Sequence, residues 1–97
     1  MNVIACGTWN VRGLSDVKVL EPIEHMKRHQ LDVLCVQETR GSKAAVYEID
    51  GHQVFLSGPD LNAECWTGVG FIVAPWVKRR IKTYKQMSDR IALLKID

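Results

Sequence analysis

Asn10 and Glu38 are the two residues whose types and settings point to shared chemistry. Asn10 lies within Thr8-Trp9-Asn10-Val11-Arg12-Gly13-Leu14, just after the apolar run Val3-Ile4-Ala5-Cys6. Glu38 lies within Gln37-Glu38-Thr39-Arg40, just after Leu31-Asp32-Val33-Leu34-Cys35-Val36. One carboxylate and one amide in a crevice suit a hard cation. Mg²⁺ prefers oxygen ligands, keeps several waters, and takes one or two protein carboxylates plus substrate phosphates. Glu38 is the charged ligand in that reading and Asn10 its neutral orienting partner. On spacing alone the pair fits better a turn cap before Gly13 and a solvated strand end, since motifs this short match by chance.

The elements around the pair decide whether the two residues can meet. Each follows a run that reads as a buried strand, and the segment between them has helical spacing. Strand, helix, strand is a βαβ unit, whose two strands run parallel with a right-handed crossover. Neighbouring parallel strands bring their C-terminal ends to one edge, where crevices form. Asn10 and Glu38 are therefore expected side by side, with Arg12 and Arg40 near enough to neutralise phosphate charge.

Four blocks in order resemble the endonuclease/exonuclease/phosphatase superfamily. They are Thr8–Gly13, Leu31–Leu34 running into Gln37–Arg40, Gly68-Val69-Gly70-Phe71-Ile72, and Ser88-Asp89-Arg90-Ile91. The resemblance is nearest to the apurinic-endonuclease-like domain of non-LTR retrotransposons and to craniofacial-development-protein-2-like proteins. It implies a DNase I-like two-sheet sandwich and Mg²⁺-dependent cleavage of phosphodiester bonds in DNA. It also implies that Asn10 positions the scissile phosphate and nucleophile while Glu38 binds the metal. Where the DNA-repair branch often has an acidic residue two positions after the Asn, this chain has Arg12, as is common in the retroelement branch. The family domain is much longer, and its Tyr, Asp-x-Asn and Asp-His motifs lie downstream. Residues 1–97 are thus expected to be a truncated N-terminal portion that lacks the activating base and does not cut DNA alone.

Composition agrees with a globular domain without pointing to DNA. Of 97 residues, 46% are hydrophobic and 25% charged, and the net charge is +2. The pI of about 8.5 falls short of the value above roughly 9 typical of dedicated nucleic-acid binders. The cysteines Cys6, Cys35 and Cys65 are odd in number and lack zinc spacing. The first two sit in apolar runs and read as reduced, buried thiols, which suits an intracellular compartment, nuclear or cytoplasmic. No stretch resembles a signal peptide or a membrane span.

Along the chain, residues 3–10 read as a strand buried on both faces, because the apolar residues are consecutive. Trp9 reads as core. Ser15 or Asp16 is placed to cap the next element. Leu20, Ile23 and Met26 share one side of a helix, which starts firmly near Leu20 or Glu21 because Pro22 fits only a first turn. Glu24 and Arg28 are spaced as an i,i+4 pair. His25 and His29 have the same spacing but no third ligand, so they read as solvated. Residues 31–37 form the second strand, 44–49 fit a short helix or a strand, and 52–57 fit a strand. Residues 68–74 form a strand whose glycines signal close backbone approach or a bulge. After Pro75 comes Trp76 with the basic run Lys78-Arg79-Arg80. It reads as a solvated turn with the indole folded onto the sheet, with phosphate contact as the alternative. Asp89 reads as structural, bound to Arg90 or a neighbouring loop. Residues 91–96 form the last strand.

The fold expected is α+β, a mixed sheet with one main helix, as the N-terminal part of a two-sheet α/β sandwich. The function expected is that of a fragment of a Mg²⁺-dependent DNA endonuclease. The alternatives are a fragment of a phosphoesterase acting on inositol phosphates or phospholipids, and a non-catalytic remnant or binding module. The sheet face carrying residues 69–74 is expected to be bare and to promote self-association.

Overall fold

Val33, Leu34 and Val36 are buried because β2 (Val33–Gln37) runs inside a sheet with a neighbour on each side. The computed structural model describes residues 3–15, 17–40, 44–58 and 67–97. β1 (Cys6–Asn10) leads through α1 (Leu20–His29) into β2. The chain continues as β3 (Ala45–Ile49), β4 (His52–Leu56), β5 (Val69–Val73), a 3₁₀ turn (Lys78–Arg80), β6 (Ile81–Gln86) and β7 (Ala92–Ile96). Five strands form one mixed sheet in the order β1-β2-β5-β4-β3, and β6 and β7 form a separate antiparallel pair. The fold is α+β, as expected.

β1 and β2 are parallel, with Thr8 opposite Cys35 and Asn10 opposite Gln37. The remaining pairs in the larger sheet are antiparallel. Ser15 Oγ accepts from Lys18 N–H (3.1 Å) in the turn before the helix; Asp16 lies outside the described residues. Pro22 occupies the first turn of α1, and the helix ends at Gln30 in a left-handed conformation with φ 56°, a common way of closing a helix. Ile23 and Met26 are fully buried, whereas Leu20 is 46% exposed. They join Val19, Leu34, Val36, Val54 and Ile72 in one apolar cluster. Lys27 binds Asp50 rather than an acid of its own helix.

Register sorts the two sheet faces. The rows through Trp9–Val36 and Gly7–Leu34 carry the apolar residues covered by α1, with Trp9 edge-on to His25 at 5.1 Å between ring centroids. The row Thr8–Cys35–Phe71–Phe55 lies on the opposite face. There Tyr84 stacks on Phe55 at 4.5 Å and meets Phe71 edge-on at 6.3 Å. The face carrying residues 69–74, expected to be bare, is therefore partly covered by the β6–β7 hairpin. The side chain of Gln86 fastens that hairpin through paired bonds to the backbone of Gly58, each 3.1 Å.

Two expectations are corrected and one open alternative is decided. Residues 3–10 are not a strand buried on both faces: Val3 is 74% exposed, and β1 alternates between exposed and half-buried. β1 is an edge strand, and only its helix side is covered. Residues 44–49, open to helix or strand, form a strand over Ala45–Ile49, because Asp50 (φ 50°) and Gly51 (φ 75°) make a two-residue hairpin turn between Ile49 and His52. Trp76 does not fold away, since it is 58% exposed.

Asp32 secures the end of the sheet opposite Glu38. Its carboxylate accepts from Ala5 N–H at 2.7 Å and from the Trp76 indole N–H at 2.5 Å. These bonds, Ala5 first, hold its pKa below the ordinary 3.8. A depressed folded pKa gives stability that is complete above the ordinary value and lost as pH falls through the folded one. Asp32→Asn should lower stability by about 1 kcal/mol at neutral pH. Denaturant titrations of both proteins at descending pH should show the gap closing only below pH 3.8; a gap independent of pH would contradict this account.

Candidate functional site

The C-terminal end of β2 does not stop at its last ladder residue. Val11, Gly13 and Leu14 donate backbone N–H groups to the carbonyls of Gln37 (3.0 Å), Glu38 (2.7 Å) and Thr39 (2.9 Å). On the other side Thr39 and Arg40 donate to the carbonyls of Gly68 (3.2 Å) and Thr67 (2.8 Å). The segment from 37 to 40 is thereby laced between the ends of β1 and β5.

This lacing delivers the expected residues to one place. Asn10 donates its side-chain Nδ2 to Glu38 Oε2. The Asn10 Oδ1 accepts from the Arg12 backbone N–H (3.2 Å), which leaves the amide nitrogen aimed at the carboxylate. Arg40 Nη2 donates to Glu38 Oε1 at 2.9 Å. The Glu38 and Arg40 side chains are 39% and 33% exposed, so the cluster opens to solvent. The hydrogen bond from Asn10, then that from Arg40, hold the Glu38 carboxyl below its usual pKa. Glu38 is thus ionised at neutral pH. Arg12 is exposed and acts on Glu38 only through its charge.

Backbone strain gathers at this point. Arg12 (φ 50°), Glu38 (φ 54°) and Arg40 (φ 57°) are all left-handed, a conformation costing a non-glycine residue roughly 1–2 kcal/mol. Such outliers persist where surrounding bonds over-determine them, and the five backbone bonds above supply that constraint.

Glu38 offers one carboxylate, an oxygen donor of the kind hard cations take. Among the described residues no group of three or more His, Cys, Asp or Glu stands ready to hold a metal. Glu38 is the ionised oxygen donor in the crevice. A carboxylate has about four lone-pair positions, and Asn10 and Arg40 use two of them.

Other candidates stand elsewhere. β5 runs antiparallel to β2, so Trp76 and the run Lys78–Arg80 lie at the opposite end of the sheet from Glu38. Lys78 is engaged with Glu48. His25 and His29 stack at 6.2 Å between centroids with His25 half-buried. Burial, then the neighbouring Cys6, push the Cys35 thiol up, so it is not a ready nucleophile. Thr39, Gly68 and Asp89 adjoin the site and were not recognised as part of it from the sequence. Gly68 had given a signal, since the paired glycines indicated close approach.

No protein-family model and no curated protein matches the chain. No helix among the described residues is long and apolar enough to cross a membrane.

Gly68 tests the lacing directly. Its φ is 116°, and a Cβ there would lie 2.2 Å from Thr39 Oγ1 and 3.3 Å from Arg40 N. Gly68→Ala should cost roughly 2–4 kcal/mol through strain and overpacking. Chemical denaturation measures this, and a loss below about 0.5 kcal/mol, the size of an ordinary surface change, would show that the segment is not held as described.

Proposed function

We propose that this chain carries the metal-holding part of a Mg²⁺-dependent endonuclease cleaving phosphodiester bonds in DNA, of the DNase I-like, retroelement type. The observation that carries the reading is the direct contact of Asn10 with Glu38 at the shared C-terminal end of two parallel strands. The residues arrive there by backbone geometry, from segments 28 positions apart.

Each residue has a part in that chemistry. Bound Mg²⁺ supplies Lewis-acid polarisation of the phosphoryl oxygen and stabilises the leaving oxygen. Glu38 holds the cation, its carboxylate kept ionised by Asn10 and Arg40. Asn10 presents a neutral amide that orients the phosphate or the attacking water. Arg40 and Arg12 offset phosphate charge at the mouth of the crevice. The group that takes the proton from water is not among these residues. DNA is the partner that this chemistry implies.

The reading can be tested on the chain itself with Mn²⁺ as a paramagnetic probe in NMR. Mn²⁺ should broaden the signals of Asn10 and Glu38 first, and Glu38→Gln should weaken binding at least about tenfold. A dinucleotide phosphodiester should raise Mn²⁺ affinity by adding phosphate oxygens. Asn10→Ala should lose that enhancement while binding the metal alone nearly as well. Broadening centred elsewhere, or persisting in Glu38→Gln, counts against the assignment.

A further inference from the structure

Asp89 sits in the turn between β6 and β7, far along the chain from Glu38, and only 8% of it is exposed. A carboxylate is rarely buried to that degree unless hydrogen bonds compensate. The adjacent Arg90 is itself 77% exposed and 4.0 Å away, a weak pairing. Shorter bonds come from the β5 approach. Thr67 Oγ1 donates to Asp89 Oδ2 at 2.7 Å, and Gly68 N–H donates to the Asp89 backbone carbonyl at 3.0 Å. The turn is itself fixed, since Ser88 Oγ accepts from the N–H groups of Arg90 and Ile91, both at 3.1 Å.

Thr67 and Gly68 are the residues whose carbonyls receive the N–H groups of Arg40 and Thr39. The contacts thus form a continuous relay from Asp89, through Thr67 and Gly68, to Thr39 and Arg40, and so to Glu38 between them and Asn10. The relay crosses three segments distant in sequence and ends on the strained left-handed residues Glu38 and Arg40.

We propose that Asp89 is a positioning residue for the Glu38 crevice: it fixes Thr67 and Gly68, and they fix the backbone that aims Glu38 and Arg40. The sequence identified Asp89 only as a structural contact to Arg90 or a loop. The loop it binds is the one that backs the candidate site. The link to metal binding rests on the reading of Glu38 as the metal carboxylate; the link to backbone order does not. A hydroxyl bonded to a carboxylate is roughly twice as strong as a neutral pair, which suits a carboxylate to this post.

Amide hydrogen exchange and Mn²⁺ binding, measured on the same proteins, separate the two links. In Asp89→Ala the amides of Thr39 and Arg40 should exchange at least about tenfold faster while those of Val54 and Ile72 hold, and Mn²⁺ binding should weaken about 10–100-fold. Asp89→Asn keeps an acceptor oxygen for the Thr67 hydroxyl and should stay within about threefold of the native protein in both. Unchanged exchange at Thr39 and Arg40 in Asp89→Ala overturns the proposal. Equal acceleration at Val54 and Ile72 also overturns it, because that marks general loss of stability. Failure of Asp89→Asn to restore protection overturns it too. If the native protein shows no Mn²⁺ effect at Glu38 while the exchange pattern holds, the metal reading falls and the positioning of the backbone stands.

Discussion

The backbone bonds that continue past the end of β2 govern both the order of the sheet and the shape of the crevice. A parallel strand and an antiparallel strand flank β2, and their hydrogen-bonding patterns differ in spacing and slant. Beyond Gln37 one short segment must satisfy Gly13 and Leu14 on one side and Gly68 and Thr67 on the other. Regular strand geometry cannot serve both. Glu38 and Arg40 turn left-handed to do so, and Gly68, lacking a Cβ, lets Thr39 pass. The strain is of the same order as the bonds that impose it. What is stored there is held by the sheet, and the sheet is anchored by the apolar contacts of Leu34, Val36 and Ile72 with α1.

The two faces of the sheet have unlike tasks. The helix side is a conventional core, with Ile23, Met26 and Val54 out of water. The other side is closed over β4 and β5 by Tyr84 and the β6–β7 hairpin, and is open over β1, where Cys6, Thr8 and Asn10 are exposed. Burial pushes the Tyr84 hydroxyl's pKa up, and among the described residues the hydroxyl has no hydrogen-bond partner, a cost accepted for the ring's packing on Phe55. The hairpin contributes more than cover, because its turn supplies Asp89 to Thr67 and Gly68, which in turn bond the segment that carries Glu38. Cys6 and Cys35 fall on the open side without facing each other, since Thr8 is opposite Cys35 and Val33 opposite Cys6. The diagonal between them spans roughly 8 Å by strand spacing and rise, beyond the reach of a disulfide. Both thiols are free.

The strongest local patterns were legible. Unbroken apolar runs marked β1 and β2, the three-residue spacing through Ile23 and Met26 marked α1, and together they implied the parallel pairing that joins Asn10 to Glu38. What escaped had physical reasons. Consecutive apolar residues mark a strand but not its neighbours, so β1 read as buried when it is an edge. The Asp50-Gly51 pair was a sufficient hairpin signal, and giving it weight would have settled residues 44–49 as strand. β6 was obscured by a register shift between Ile81 and Thr83. The irregularity sets Ile81 and Tyr84 three apart on the covered side, a spacing more like a helix than a strand. The left-handed conformations of Arg12, Glu38 and Arg40 had no sequence signal, because none of these residues favours them. They arise from the meeting of three segments, and so does the role of Asp89.

Arg40 shows how the candidate site resolves a conflict of charge. An anionic carboxylate poised beside an anionic substrate repels it unless a cation intervenes. Here the guanidinium lies on one carboxylate oxygen and the Asn10 amide on the other, so the crevice is already neutralised. Both side chains of the ion pair are more than a third exposed or close to it, and pairs in that setting are weak because water competes for each partner. The arrangement is therefore ordered without being locked. Asn10 is neutral and its carbonyl oxygen is tied to the Arg12 N–H, so its orientation does not depend on which cation stands at Glu38. The backbone relay, and not the ion pair, carries the geometry. On the proposed reading, a carboxylate aimed by its main chain changes its cationic partner from a guanidinium to a metal without losing its place.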